Sequence, residues 1–154
     1  DQISFGAPRP VYENYVCYNF NTHVSGETGG CLKKSQINDL NEQLDGNIQN
    51  IIIFTHHPII KINSAWIDKH VAGNSKLLIE LMHSYRNLKF NVFSGHVHQE
   101  FFKVMKNVKI FTTPSTCYQF KPCSDEYCID DNLSSGYRVI KLHDNTVSSN
   151  VVRL

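Results

Sequence analysis

Two short histidine clusters are the residues best suited to chemistry in this chain. The first is His56-His57-Pro58, directly after the apolar run NIIIFT at 50–55; the second is Ser94-Gly95-His96-Val97-His98, directly after KFNVF. Zinc binds an imidazole nitrogen at ~2.0–2.1 Å, and paired catalytic metals stand ~3.5–4 Å apart. Two histidines at i and i+2 of an extended chain lie roughly 6–7 Å apart on one side, so one loop can give an imidazole to each of two adjacent ions. Successive residues leaving a strand point to opposite sides, so only one of His56 and His57 is expected to face such a centre. Pro58 biases His57 toward extended backbone and fixes the exit path. Gly95 is expected to permit a sharp turn that a Cβ would resist.

Both clusters must be held by the elements before them. NIIIFT has no alternation, the pattern of a strand buried on both faces. KFNVFS at 89–94 reads as its neighbour, and YVCYNF at 15–20 as a further strand. Between them, Ile37, Leu40 and Leu44 predict a helix over 35–45 with Ser35 as N-cap, ended by Asp45-Gly46. Leu77, Leu78, Leu81 and Met82 predict a second helix, capped by Asn74. Strand, helix, strand, helix, strand implies a mostly parallel sheet, whose ligand crevice lies outside the C-terminal strand ends. Beyond His98, FFKVM (101–105) and VKIFTT (108–113) flank Lys106-Asn107 as a hairpin. Tyr137–Leu142 and Thr146–Val152 flank Asp144-Asn145 as another. The fold class is α/β with an antiparallel tail, one unit without repeats.

Composition narrows the function classes. The 154 residues are 41% apolar and 19% charged with a net charge of +1, which excludes a disordered chain and offers no basic stripe for nucleic acid. The longest apolar run, Ile51–Phe54, falls far short of the ~20 residues of a membrane span. Five cysteines (17, 31, 117, 123 and 128) form no regular framework, so a reducing cytoplasm is the expected setting. No secretory leader is read at the start, and Asp1 rather than Met suggests a piece of a longer product.

FTHHP (54–58) together with GHVH (95–98) resembles the C-terminal half of the calcineurin-like metallophosphoesterases. Trp66-Ile67-Asp68, then Asn74 and its helix, TPSTCYQF (113–120) and SGYRVIKL (135–142) follow in an order similar to the bacterial 3′,5′-cyclic-AMP phosphodiesterases, the class III cyclic nucleotide enzymes. The resemblance implies a four-layer αββα sandwich and two divalent ions (Mn, Fe or Zn) in the parent enzyme. It implies that His56 and His96 ligate one ion and His98 the other, with His57 supporting a ligand or touching substrate. The implied reaction is attack of a metal-bridging hydroxide on cyclic AMP, giving AMP. Asn63 and Ser64, in the loop after HHP, are candidates to line the nucleotide pocket.

The family's D-x-H, G-D-x-x-D and G-N-H-E/D motifs are not found. Asp68-Lys69-His70 spells the first but follows HHP, and is read as coincidence; Gly46-Asn47 and Gly73-Asn74 lack the following His. Residues 1–154 are therefore expected to be a single partial domain, the C-terminal half, holding at most one weakly bound ion. Such a half is expected to self-associate, exchange chains or depend on its missing N-terminal part. Two alternatives stay open: another calcineurin-like hydrolase (glycerophosphodiester, nucleotide anhydride or phosphomonoester), or a non-catalytic metal-binding piece. His23, His70, His83 and His143 are expected at the surface, and Arg138 on an exposed strand. Tyr118 and Phe120 are expected to pack or anchor a loop, and Cys123-x4-Cys128 is a weak second metal candidate lacking a second pair.

Overall fold

The computed structural model describes residues 9–12, 15–44 and 48–154. Eight strands and two α-helices follow in the order β1 (Arg9–Tyr12), β2 (Tyr15–Asn19), α1 (Lys34–Gln43), β3 (Asn50–Thr55), α2 (Ser75–Ser84), β4 (Lys89–Ser94), β5 (Phe101–Met105), β6 (Val108–Thr112), β7 (Gly136–His143) and β8 (Thr146–Arg153). A one-turn 3-10 helix, Asp68–His70, precedes α2. The main sheet runs β1-β2-β3-β4-β6-β5; β7 and β8 form a separate two-stranded sheet. The four inner strands are parallel, and β1 and β5 close the edges antiparallel.

Each face of the main sheet is covered. Alternate residues Ile51, Ile53, Phe90, Val92, Val108 and Ile110 pack against α1 and α2 through Ile37, Leu40, Leu78 and Met82. The opposite set, Tyr15, Ile52, Phe93 and Phe111, packs against Val147, Ile140 and Leu142 of the β7–β8 hairpin. On that second face, register pairing aligns Phe54, Phe93, Phe111 and Phe102 across four strands. Their rings stack in sequence at 5.7, 4.8 and 4.8 Å. The ladder's outer members emerge from cover: Phe54 is 36% and Phe102 54% exposed. NIIIFT is thus buried on both faces except at Phe54.

Several expectations need correction. α1 starts at Lys34 with Lys33 as N-cap, so Ser35 lies inside it, and no side chain caps that end. The expected stop at Asp45-Gly46, like Asn47, lies outside the described residues. Asn74 does precede α2, but in a left-handed conformation (φ 64°) with no capping bond. Its amide instead donates to Leu32 O at 2.8 Å, tying α2 to the segment before α1. Leu77 faces solvent, so the apolar stripe is narrower than its leucines suggest. Arg138 is half-buried rather than exposed: it donates to Thr112 O and Ser149 Oγ at 2.8 Å and lies over the Phe111 ring, joining the two sheets. Among the described residues, no helix is long and apolar enough to cross a membrane.

Candidate metal centre

Parallel strands β3 and β4 end side by side, Thr55 opposite Ser94, so the segments that follow them leave the sheet together. His56 follows the first strand and His96 the second. His56 Nε2 and His96 Nδ1 face one another at 3.2 Å, with ring centroids 5.1 Å apart. His57, His56 and His96 form the one group of His, Cys, Asp or Glu among the described residues close enough to share an ion, its nitrogens all within 4.8 Å. Both members of the HHP pair thus reach the cluster. Strand alternation does not separate them because Thr55 is the last strand residue and both histidines lie in the turn beyond it.

The three imidazoles are not equivalent. Buried His57 meets the Thr28 carbonyl through Nε2 at 3.1 Å, which requires a hydrogen on Nε2. Its Nδ1 then accepts from the Thr22 hydroxyl at 2.8 Å. Both ring nitrogens are spent on protein, so His57 buttresses the cluster from β2's exit loop. The contact between His56 Nε2 and His96 Nδ1 places a hydrogen on one of the two and leaves the other its lone pair. Burial lowers the pKa of His56, and it pushes His96 down to about 3, helped by the positive field His57, His56, His70 and His98 would add. The neutral imidazole, the form that binds a metal, is thereby favoured.

The GHVH segment is built differently from the expected Gly-dependent turn. Gly95 has no left-handed φ, and a Cβ there would make ordinary 3.8 Å contacts with His56. The left-handed residues are His96 (φ 62°) and His98 (φ 47°). Val97 between them is fully buried with Ile62, Ile67 and Phe120 and pins the turn. His98 lies apart from the His56–His96 pair: its ring stacks on Phe120 at 4.6 Å and 11°. Its Nδ1 donates to Tyr118 O at 3.1 Å, leaving the Nε2 lone pair unused by that bond. Phe120 is therefore the platform for His98 as well as a loop anchor.

No family model matches the chain. Individual proteins do. A probable cyclic nucleotide phosphodiesterase from Psychrobacter arcticus is 33% identical over 143 residues, covering 92% of this chain and 51% of its own. The 3′,5′-cyclic adenosine monophosphate phosphodiesterase CpdA of Haemophilus influenzae is 33% identical over 144 residues, 92% of this chain and 52% of its own. A 3′,5′-cyclic-nucleotide phosphodiesterase of Nostoc is 35% identical over 136 residues, covering 87% and 50%. Over about nine-tenths of its length the chain is similar to proteins named cyclic nucleotide phosphodiesterases. It spans about half the length of the curated relatives it matches. In fold it is similar to a dimetal phosphatase from Danio rerio, with a TM-score of 0.51 over 80% of this chain and 39% of the other at 16% identity.

Against that phosphodiesterase kinship, the remaining expected residues fall in varied places. Pro58 is buried, and its carbonyl accepts from Ala72 N at 2.8 Å, closing the long loop after β3. Ser64 is fully buried and meets Gln99 Nε2 at 3.3 Å, linking that loop to the one after β4; Asn63 beside it is exposed on left-handed backbone (φ 67°). Three residues of the centre escaped the sequence reading. His70 is half-buried, not at the surface, with Nδ1 2.8 Å from His96 Nε2. Thr22 and Gly30, in the loop between β2 and α1, form the seat of His57. His23, exposed as expected, lines with residues 19–22 and 54–57 a cavity of about 530 Å³ beside the cluster.

Proposed function

We propose that the chain is the histidine-bearing part of a divalent-metal phosphodiesterase acting on 3′,5′-cyclic nucleotides, cyclic AMP foremost. The carrying observation is the facing pair His56 Nε2 and His96 Nδ1, 3.2 Å apart at two adjacent strand ends. Kinship with enzymes of that name over about nine-tenths of the chain supports the substrate class. The donor set fits one ion: two neutral imidazoles with aligned nitrogens, and His98 nearby offering Nε2 toward a second. Mn, Fe or Zn suits imidazole ligation completed by carboxylates. Bound there, a divalent ion would polarise phosphoryl oxygens and lower the pKa of coordinated water.

This chain's own residues supply position and exclusion. His57, locked by Thr22 and Thr28, walls the cluster without competing for the ion. The cavity beside it, lined by Phe54 and Asn19–His23, is where the nucleotide would lie. No carboxylate joins the cluster among the described residues, so a complete centre would need charge-neutralising ligands from outside this set. The exposed ends of the phenylalanine ladder, Phe54 and Phe102, mark the face a part supplying them would cover. Five free cysteines favour a reducing, cytoplasmic setting.

Isothermal titration of the 154-residue chain with Mn²⁺ tests the centre, and assay of the full-length protein tests the substrate. One weak site, lost in His56→Ala, together with cyclic AMP turnover by the whole enzyme, is expected. Hydrolysis of bis(p-nitrophenyl) phosphate without cyclic AMP turnover would assign it to another calcineurin-like hydrolase. Two tight ions on the isolated chain would refute the half-site.

A further inference from the structure

We infer that His70 is a positioning residue that sets the metal-binding tautomer of His96, an inference that rests on the metal-site reading above. The 3-10 helix carrying His70 is folded back by four bonds that sequence periodicity does not reveal. Asp68 Oδ1 accepts from Ile62 N at 2.7 Å. Asp68 N donates to Ser64 O, His70 N to Ile67 O, and Ala72 N to Pro58 O, all within 2.9 Å. Ile67 is buried against Val97, the residue between the two histidines of GHVH. The helix is thus packed onto the same turn that carries His96, and His70 Nδ1 comes to 2.8 Å from His96 Nε2, the rings 5.0 Å apart.

His96 therefore has a partner at each nitrogen: His56 Nε2 at Nδ1 and His70 Nδ1 at Nε2. A neutral imidazole carries one hydrogen. With that hydrogen on Nδ1, His96 would donate to His56 and its lone pair would point away from the facing pair. With it on Nε2, His96 donates to His70 and turns its Nδ1 lone pair toward His56. Only the second arrangement lets His56 and His96 present two lone pairs to one ion. His70 Nδ1, 2.8 Å from that Nε2, is placed to accept its hydrogen, and with the His70 hydrogen on its own Nε2 it holds this arrangement. Metal-ligating histidines generally need such an outer partner to fix the tautomer and the ring's orientation.

The test is long-range ¹H–¹⁵N correlation on the ¹⁵N-labelled 154-residue chain, which reads the tautomer without any metal, paired with Mn²⁺ titration. Wild type is expected to show His96 protonated at Nε2. His70→Leu should mix the two tautomers and weaken Mn²⁺ binding about 10- to 100-fold, whereas His70→Asn, whose amide oxygen can accept in place of Nδ1, should stay within about threefold of wild type. His96 protonated at Nδ1 in wild type overturns the inference whatever the variants do. So does a His70→Leu chain with unchanged tautomer and affinity. If wild type shows the Nε2 tautomer but takes up no Mn²⁺, the metal reading fails while the positioning of His96 stands.

Discussion

Gly30→Ala is a direct test of how the β2 exit loop builds the centre. A Cβ at Gly30 would stand 2.2 Å from His57 Nδ1, 2.5 Å from His57 Cγ and 2.8 Å from the Thr22 carbonyl. Ordinary carbon–nitrogen contact needs about 3.5 Å, so something must move by about an ångström. The backbone has little freedom to do so. Gly30 O accepts from Gly73 N at 2.8 Å, and Cys31 N donates to Thr22 O at 2.9 Å, pinning both sides. The imidazole must yield, and it is buried with both nitrogens bonded.

Displacing it strains a packed site at about 1–3 kcal/mol. Breaking its bond to Thr22 or Thr28 adds roughly another 1 kcal/mol. A total loss of about 2–4 kcal/mol follows, or a Tm lowered by very roughly 5–15 °C for a domain of this size. The neighbouring residue provides the control, because a Cβ on Gly29 meets nothing within 4 Å. Gly29→Ala should leave stability within about 0.5 kcal/mol of wild type. Urea unfolding of both variants decides the matter. Equal stabilities would show that His57 is not seated against Gly30, and the account of the loop would fall. His57→Ala should relieve most of the Gly30→Ala cost, since it removes the nearest two atoms of the clash, and the double mutant should therefore be clearly non-additive.

His96→Ala should take Mn²⁺ binding below detection by calorimetry, while His143→Ala, an exposed hairpin residue, should leave it unchanged. His96→Gly should lose the ion equally but be about 1 kcal/mol more stable to urea than His96→Ala, because Gly accepts the left-handed backbone at φ 62° that Ala resists. The Tyr18 phenol, buried and bonded to Gln36 O, has its pKa pushed up to about 12, by burial first and by Asp39 second. A raised acid pKa means the folded state holds the proton more tightly, so this stabilisation is complete below pH 10 and is lost between about 10 and 12. Its upper bound is about 3 kcal/mol. Urea midpoints measured across that range should fall less steeply in Tyr18→Phe than in wild type. Asn107 Nδ2 donates to the carbonyls of Met82, Tyr85 and Leu88 at 2.9–3.0 Å, closing the C-terminal end of α2 from the β5–β6 hairpin. Asn107→Ala should cost about 1–3 kcal/mol by thermal denaturation.

Every described strand except β1, which the sequence reading missed, and the two principal histidine motifs were legible because those strands are short runs rich in apolar residues stopped by Gly, Asn or a polar turn. Buried parallel strands need no alternation, and NIIIFT carries that signal by itself. What was not legible depends on contacts between distant segments. Helix α1 lacks a capping side chain, so Ser35 was a misleading mark; the helix start is fixed instead by packing of Ile37 and Leu40 on β2 and β3. Asn74 occupies the cap position but spends its amide on Leu32, a bond across 42 positions. His70 sits in a tripeptide that is uninformative as a motif, and the Asp68–Ile62 closure with the backbone bonds around it brings it to His96. Arg138 looked exposed because a strand pattern does not show that a second sheet lies beneath it.

The residues of the centre break a local backbone rule, and the packing around them explains how. Two non-glycine residues, His96 and His98, hold left-handed backbone at a cost of about 1–3 kcal/mol each. Their own ring contacts are joined in offsetting this by Val97, wholly buried between them, the Ser64–Gln99 link and the Thr112 hydroxyl bonded to Gln99 O at 2.6 Å. The turn is thus held from outside, by the loop after β3 and by β6. The same loop delivers His70. A neutral cluster of this kind binds a dication through lone pairs without cancelling its charge. Tight binding therefore needs anionic ligands that the cluster does not contain among the described residues. The shared centre proposed above would require such donors, preformed and strained but without charge, of a part that supplies imidazoles.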